Sequence, residues 1–386
     1  MRFYGTIPDM DDTKYEIVAN LLVREIADGK FEPLGAFPSD RALMRRFGVS
    51  RQTIRLAMRK LEAAGLLYRR PGTGTFLSKS AGKLNRGIGI IVSGGRYSEI
   101  FRAICDEIRE LTNRSRLRLF VGDASRKSAD ACARETLAAA RKMVAEKVCG
   151  VIYQPVQFFD DSVRVNADVV RIFQTANIPV VLIDCDITPS PSRSDCDVVG
   201  IDNFDAGRRV AAHLLEAGAR GAVFFCEPCA ATTVTNRMFG VASMLTSADF
   251  AAGHGFSRWT GDARNAKAVA DCLAANPSAD AIVCQNDIMA FNLITTLKKL
   301  GRSVPDDILV AGFDDVAFAK IPRPSLTSVH QPCKEIATTA YTRLLARMAD
   351  PKLPPTVFSL SAPLIVRDST SRPSPPLNRT PPPRVR

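Results

Sequence analysis

No run of apolar residues in this 386-residue chain approaches the ~18 that a membrane helix requires, so a helical membrane-spanning protein is excluded. The start, MRFYGTIPDMDDTKYE, lacks a basic beginning, an apolar stretch and a small-residue cleavage site, which predicts no secretory leader and a cytoplasmic location. There are only three histidines. His213 falls inside a helical pattern, and His254 and His330 have no neighbouring Ser or Cys motif that would suggest a catalytic triad. Ten cysteines are scattered without regular spacing, and the one CxxC (Cys226, Cys229) has no second pair to complete four zinc ligands. The cysteines therefore read as small, reduced, buried side chains, and neither a metal nor any other cofactor is expected. The chain has no Walker motif, and its Gly87-x-Gly89 precedes a strand instead of following one, so it is not a dinucleotide loop. Repeats and heptads are also missing.

Charge is unevenly placed. Residues 1–86 hold 16 Lys/Arg against 9 Asp/Glu, residues 87–370 are almost neutral with 32 against 31, and residues 371–386 hold four Arg and no acid. Not one acidic residue occurs between Ala63 and Ser98. A basic segment of this kind at one end of a chain is the footprint of a nucleic-acid-binding module or, on the blander reading, a solvated basic surface.

The pattern inside that segment separates the two. Lys14 to Gly29 carries Ile17, Leu21, Leu22 and Ile26 at helical spacing. Ser39 precedes a short helical run ending at Gly48, and Ser50 precedes another running to Gly65, so two helices meet at a tight Gly48-Val49 turn. In the second helix Ile54, Ala57, Met58 and Leu61 share one face, while Arg51, Gln52, Arg55 and Arg59 occupy another arc. Alone this would describe either a solvated amphipathic helix or a recognition helix. Arg reads guanine and Gln reads adenine in a major groove. The strand Leu66–Arg70, the turn Pro71-Gly72-Thr73-Gly74 and the return Thr75-Phe76-Leu77 then form a basic hairpin, a wing that places Arg69, Arg70 and backbone near phosphates.

The stretch FPSDRALMRRFGVSRQTIRLAMRKLEAAGLLYRRPGTGTFL resembles the winged helix-turn-helix of GntR-type bacterial regulators. The resemblance covers about residues 14–78 and implies DNA contacts from Arg41, Ser50, Arg51, Thr53, Arg55 and the wing glycine Gly72 or Gly74, to which the residue pattern adds Gln52 and Arg69. Two positions depart from the family pattern: Asp40 stands where Glu is frequent, and Leu56 where the residue is usually polar.

From Arg86 onward, eight short apolar runs alternate with helical stretches: Gly89–Val92, Leu117–Val121, Gly150–Tyr153, Pro179–Ile183, Val198–Ile201, Ala222–Phe225, Ala281–Cys284 and Leu309–Gly312. They predict two doubly wound parallel-sheet lobes with ligands at the carboxyl ends of the strands. Candidates there are Ser93 to Tyr97, Asp184, Asp186, Asn286, Asp287, Asp314 and Asp315.

The segments VVGIDNFDAGRRVAAHLLEAG, NRMFG, CQNDIMAFNLITTLKKLGRSVPDDILVAGFDD and PSLTSVHQP resemble the LacI-type effector domain, itself like periplasmic sugar-binding proteins. That resemblance implies effector contacts from Asp184, Arg237, Asn286 and Asp314. Asp314 and Asn286 have a second reading, as loop and helix caps. An aromatic partner for a sugar face falls to Tyr97, Phe101, Phe158 or Phe159, with nothing to choose among them, and Tyr97 is carried as the candidate. Joining these two modules resembles the arabinose-responsive regulators and implies a pentose or related sugar.

The sequence thus predicts a winged helix at 1–78, a linker at 79–86, a two-lobed effector and dimerisation domain at 87–370 and a disordered Pro/Arg tail at 371–386. The expected partners are a double-stranded DNA operator, a small effector and a second copy of the chain. The competing class is a sugar-processing enzyme with an appended DNA-binding domain.

Overall fold

The computed structural model describes residues 14–27, 30–31, 35–78, 87–93, 98–115, 117–124, 128–157, 159–189, 192–228, 231–246, 255–321 and 323–372. The N-terminal helix α1 (Lys14–Ala27) is followed by α2 (Asp40–Phe47) and α3 (Arg51–Ala63). Both serine caps form. Ser39 Oγ accepts from Ala42 N and Ser50 Oγ from Thr53 N, each satisfying an otherwise free donor of the first turn. Gly48 closes α2 in the left-handed region at φ 66°, which turns the chain toward α3. Ile54, Ala57, Met58 and Leu61 are all buried, as their spacing predicts. On α1 the buried stripe is Val18, Ala19, Leu22, Val23 and Ile26, so Ile17 and Leu21 sit at its edge, not at its centre. Glu25 on α1 accepts from Lys30 at 3.2 Å and from Arg46, tying α1 to α2. The hairpin β1 (Leu67–Arg70) and β2 (Gly74–Leu77) pairs antiparallel with Leu67 opposite Leu77 and Arg70 opposite Gly74.

The chain then runs β3 (Ile88–Ser93), α4 (Glu99–Arg114), β4 (Leu119–Ala124), α5 (Ala129–Ala145), β5 (Val151–Tyr153), α6 (Ser162–Thr175), β6 (Val180–Ile183) and β7 (Asp197–Ile201). A second series follows as α7 (Asn203–Glu216), β8 (Gly221–Cys226), α8 (Thr232–Leu245), β9 (Gly255–Thr260), α9 (Ala266–Ala275), β10 (Ala281–Cys284), α10 (Asp287–Lys299), β11 (Leu309–Asp314) and β12 (Thr327–His330). The helix α11 (Cys333–Ala349) and strands β13 (Val357–Leu360) and β14 (Leu364–Ile365) complete it.

The sheets have orders β13-β7-β6-β5-β3-β4 and β14-β12-β11-β10-β8-β9. Within each series the order is that of a doubly wound sheet whose topological switch lies beside its first strand, between β3 and β5 in one and between β8 and β10 in the other. Two compact units result. One takes the residues up to Gly200 with Cys333–Phe358, and the other takes Ile201–Pro332 with the residues from Ser359. The winged helix belongs to the first unit, where Gly65, just past the end of α3, lies so close to Ala349 at the end of α11 that any side chain there would collide with it.

All eight expected strands form. Four more were not foreseen, for physical reasons. Strand β9 is a half-exposed edge strand, and β12 opens with the buried hydroxyl residues Thr327 and Ser328, which read as polar. β13 is only half buried, and β14 has two residues. Arg372, two residues beyond the boundary that composition suggested, still packs on the second unit, its Nη2 pairing with the buried Asp280 at 3.3 Å. Residues 373–386 lie outside the described ones.

Each unit buries its own core. Tyr153, Val169, Phe173 and Leu182 are among the residues at the centre of the first, and Phe225, Ile282, Leu293 and Val310 of the second. In the first unit the fully buried Asp197 receives Arg347 at 2.5 Å and Arg343 at 3.0 Å, which clamps α11 onto β7.

Candidate nucleic-acid interface and ligand crevice

The exposed arc of α3 carries Arg51, Gln52, Arg55 and Arg59, with Thr53 half-buried beside the cap. Ser50 is exposed, and its hydroxyl lies 2.9 Å from Thr53 Oγ1, so the cap and the start of the reading face are one structure. Arg41 stands exposed on α2, and Gly72 and Gly74 are exposed in the wing. Arg69 differs from the others. It donates to Glu62 on α3, which braces the wing against the helix and holds the Arg69 side chain in place by an ion pair. Arg70 instead lies over the rings of Tyr68 and Phe76, at 5.5 and 5.3 Å from their centres, with its guanidinium exposed. The surface so formed is solvent-exposed and of one sign, which suits phosphate contacts and base reading.

The strand-end side of the second unit is built differently. Arg237, only 4% exposed, projects from α8. Its Nε donates to Asn203 Oδ1 at 2.8 Å and its Nη1 to the carbonyl of Gln285 at 2.8 Å. Its Nη2 lies 3.6 Å from Asp314 Oδ1, and its guanidinium stacks 4.6 Å from the ring centre of Phe313. Asn203 reaches Arg237 because α7 and α8 cross at contact distance. A Cβ on Gly207 would collide with the Arg237 carbonyl, and one on Gly240 with the Phe204 carbonyl. Sequence reading missed Asn203, Gln285 and Phe313. The glycines of FDAGRR and MFGV were the available signal.

Asp314 ends β11 with φ 107°, and burial pushes its carboxyl up against the opposing pull of Arg237. Asn286 caps α10, its Oδ1 accepting from Met289 N at 2.9 Å. The capping alternative is therefore correct for that oxygen, and what Asn286 can offer a ligand is its amide N–H group. Three other candidates serve the frame. Asp287 accepts from Ser328 Oγ at 2.6 Å and from Val316 N at 3.0 Å. Asp315 is held by Arg367 and by His330 at 3.0 Å. In the first unit Asp186 accepts from Thr188 N and Ser194 N, closing its own loop. Burial, reinforced by the Asp314 charge, raises the Asp287 carboxyl to about 8.

Asp184 stands half-buried at the carboxyl end of β6 in the first unit, at φ 76°, its N–H donating to Val199 O. Of the aromatic candidates, Tyr97 and Phe158 lie outside the described residues. Phe101 is half-buried near the start of α4, and Phe159 packs against the cluster of Ala124, Cys132, Val156 and Val165. His213 bonds Thr370 Oγ1 at 2.7 Å and burial lowers its pKa, which fits the structural role read from its position.

The two units share one further device. At each switch point a buried glutamine accepts an N–H at the carboxyl end of the first strand: Ser93 N, the last of β3, to Gln154 Oε1, and Glu227 N, just past β8, to Gln285 Oε1, both at 2.9 Å. In each, the same glutamine's own N–H donates back to the first strand, to Ile91 O at 2.9 Å and to Phe225 O at 3.0 Å. The carboxyl end of the first strand is thereby pinned in the same way in each unit. Among the described residues no group of acids, His and Cys is arranged to hold a metal, and no helix is long and apolar enough to cross a membrane.

These features define a class: a gntR-type DNA-binding domain joined to a periplasmic-binding-protein-like ligand domain, that is, a transcriptional regulator. Residues 14–77 match the bacterial regulatory proteins of the gntR family, and residues 211–370 match the periplasmic binding protein-like domain. Within the class the chain is similar to the arabinose metabolism transcriptional repressor of Geobacillus stearothermophilus, at 27% identity over 381 residues, 95% of this chain and 98% of that one. It is also 37% identical over 92 residues to the HTH-type transcriptional repressor PurR of Vibrio vulnificus, a match spanning 24% of this chain and 28% of the relative. Among solved structures it is similar in fold to the transcriptional regulator CelR–cellobiose complex, with TM-score 0.61, 21% identity, and coverage of 93% of this chain and all of that one. A LacI family regulator from Enterococcus faecium with bound ribose superposes with TM-score 0.59 at 20% identity, covering 74% of this chain and 98% of that one. The relatives are transcriptional repressors, not enzymes.

Proposed function

We propose that this chain is a bacterial transcriptional repressor that releases or grips its operator according to a sugar bound at the strand ends of its two lobes. The observation that carries the reading is the pairing, in one chain, of an exposed basic helix with the Arg237–Asp314 cluster, and it is supported by similarity over 95% of the chain to the arabinose metabolism repressor. Arg41, Ser50, Arg51, Gln52, Thr53, Arg55, Arg69 and the wing glycines Gly72 and Gly74 contact DNA, in the cytoplasm where bacterial DNA lies. Asp184, Arg237, Asn286 and Asp314, with Tyr97, hold the effector. Arg237 beside Asp314 leaves that side of the crevice nearly charge-neutral. Fixed donors and acceptors then suit the hydroxyls of an uncharged sugar, of which a pentose such as arabinose is the expected one.

Two copies of the chain pair through the second unit. Ile288, Phe291 and Ile321 are exposed there, Ile321 at 77%, and Phe291 meets Phe318 edge-on at 5.8 Å. A dimer presents two reading helices to two half-sites. Thermal unfolding against a panel of pentoses and hexoses tests the effector: a bound sugar raises the midpoint with concentration. No shift with any sugar would sink the sugar reading and leave the DNA reading standing. Sedimentation of an Ile321→Asp variant tests the dimer, with monomers expected.

A further inference from the structure

Leu56 is a large apolar side chain on the arc of α3 that otherwise offers only hydrogen-bonding groups. At ~100° per residue it lies at one edge of an arc about 100° wide, with Gln52 next to it, then Arg59 and Arg55, while Ile54, Ala57, Met58 and Leu61 take the opposite side. The burial agrees: Gln52, Arg55, Leu56 and Arg59 are exposed and the other four are buried. Leu56 keeps 38% of its surface open, so its methyl groups are not consumed by the core. A lone exposed leucine elsewhere on a surface needs no explanation. Here it sits beside the amide of Gln52, at the edge of the exposed arc that also carries Arg55 and Arg59. The one base-edge feature in the major groove that is apolar is the C5-methyl of thymine.

We propose that Leu56 is a specificity-determining residue that reads a thymine methyl within each half-site, beside bases read by Gln52 and Arg55. The inference rests on the DNA-binding reading above and refines it. Contact with a leucine side chain takes the methyl out of water, and one methyl-sized group is worth ~4-fold in binding. Two half-sites bound by a dimer multiply that figure. Arg59 lies one turn further along, where the helix leaves the groove floor and a phosphate is the natural partner.

The test uses the full-length wild-type chain and the duplex it enriches from a random-sequence pool. Each thymine is replaced in turn by deoxyuridine, which removes only the methyl. Wild type should lose ~4-fold at one thymine per half-site, the value of that methyl. The Leu56→Ala variant, changed in both subunits, should bind the unmodified duplex with the deficit of both half-sites, ~16-fold, and show no further loss at that deoxyuridine, so the two changes fail to add. An unchanged unfolding midpoint in Leu56→Ala separates recognition from stability. If every thymine-to-deoxyuridine change affects wild type and Leu56→Ala alike, the inference is overturned while DNA binding stands. If the wild-type chain enriches no duplex, both this inference and the DNA-binding reading fall.

Discussion

The reading helix and the Arg237 crevice use the same guanidinium group in opposite settings. On α3, Arg51 and Arg55 are exposed, face solvent and stand among other cations. In the second unit, Arg237 is buried, stacked on Phe313 and committed to Asn203, Gln285 and Asp314. The first arrangement waits for a polyanion. Its free energy comes from phosphates and displaced counterions, so it falls steeply with salt. The second is already satisfied, and a ligand must fit hydrogen bonds that are fixed beforehand. Its response to salt should be weak because buried pairs are poorly screened.

The largest test of that contrast is a crossed pair of truncations. Arg237→Ala leaves Asp314 buried without its counter-charge and removes the donors from the crevice, so sugar binding should fall by ~100-fold or more. Operator binding should persist but no longer respond to sugar. Arg55→Ala should cost ~10–100-fold in specific operator affinity and leave the sugar-induced rise in midpoint intact. Calorimetry with sugar and a gel-shift titration with operator read both. Loss of both activities in either variant would break the two-site picture.

How much of each site was legible follows from the same contrast. The reading face is written in one contiguous stretch. Ser50, the Gly48 turn and the spacing of Ile54, Ala57, Met58 and Leu61 together specify a helix and the direction it faces. The crevice is assembled from residues at 203, 237, 285 and 314, which no local period connects. Asp314 can be read from its place at the end of a strand and Arg237 only from family resemblance, whereas Asn203 and Gln285 depend on how closely α7 crosses α8 and on where β10 ends. That Asp287 and Asp315 serve the frame could not be read either, since Asp and Asn after a strand look alike whether they face a ligand or a buried serine.

A smaller effect tests that close crossing. Gly240→Ala places a methyl against the Phe204 carbonyl in a packed helix pair. The helices must separate, at a cost of ~1–3 kcal/mol for overpacking. The unfolding midpoint of the second unit should drop, and sugar affinity should weaken as Asn203 moves from Arg237. A midpoint and an affinity both equal to wild type would show that the crossing does not position Arg237. The winged helix, which has no part in that crossing, should bind operator as before.

Titration separates the two regions further. Burial and the neighbouring Asp314 raise the Asp287 carboxyl to about 8, so its neutral form is favoured on folding. That contribution is full below about pH 4, the ordinary carboxylate value, and is lost as pH rises through about 8. In the first unit the sign is opposite. Burial works against the Asp197 carboxylate, but Arg347 and Arg343 hold its pKa below the usual value, so its contribution is present at neutral pH and lost in acid. The second unit's midpoint should therefore fall as pH rises toward about 8 and level off above it. Asp287→Asn can still accept from Val316 N while its amide donates to Ser328, and it should flatten that fall. An unchanged slope in Asp287→Asn would place the titrating group elsewhere.

The smallest effect comes from Ser50, where helix capping and the reading face coincide. Removing the cap with Ser50→Ala should cost ~1 kcal/mol in the winged helix. That loss mixes stability with DNA contact, so alanine alone cannot separate them. Ser50→Asp does. Aspartate caps as well as serine, and its charge is favourable at a helix N-terminus, so the unfolding midpoint should be kept or raised. The same charge on a face that meets phosphates should weaken operator binding, and more so as salt is lowered. If Ser50→Asp kept both its stability and its operator affinity at low salt, the exposed start of α3 would not be where the DNA backbone lies.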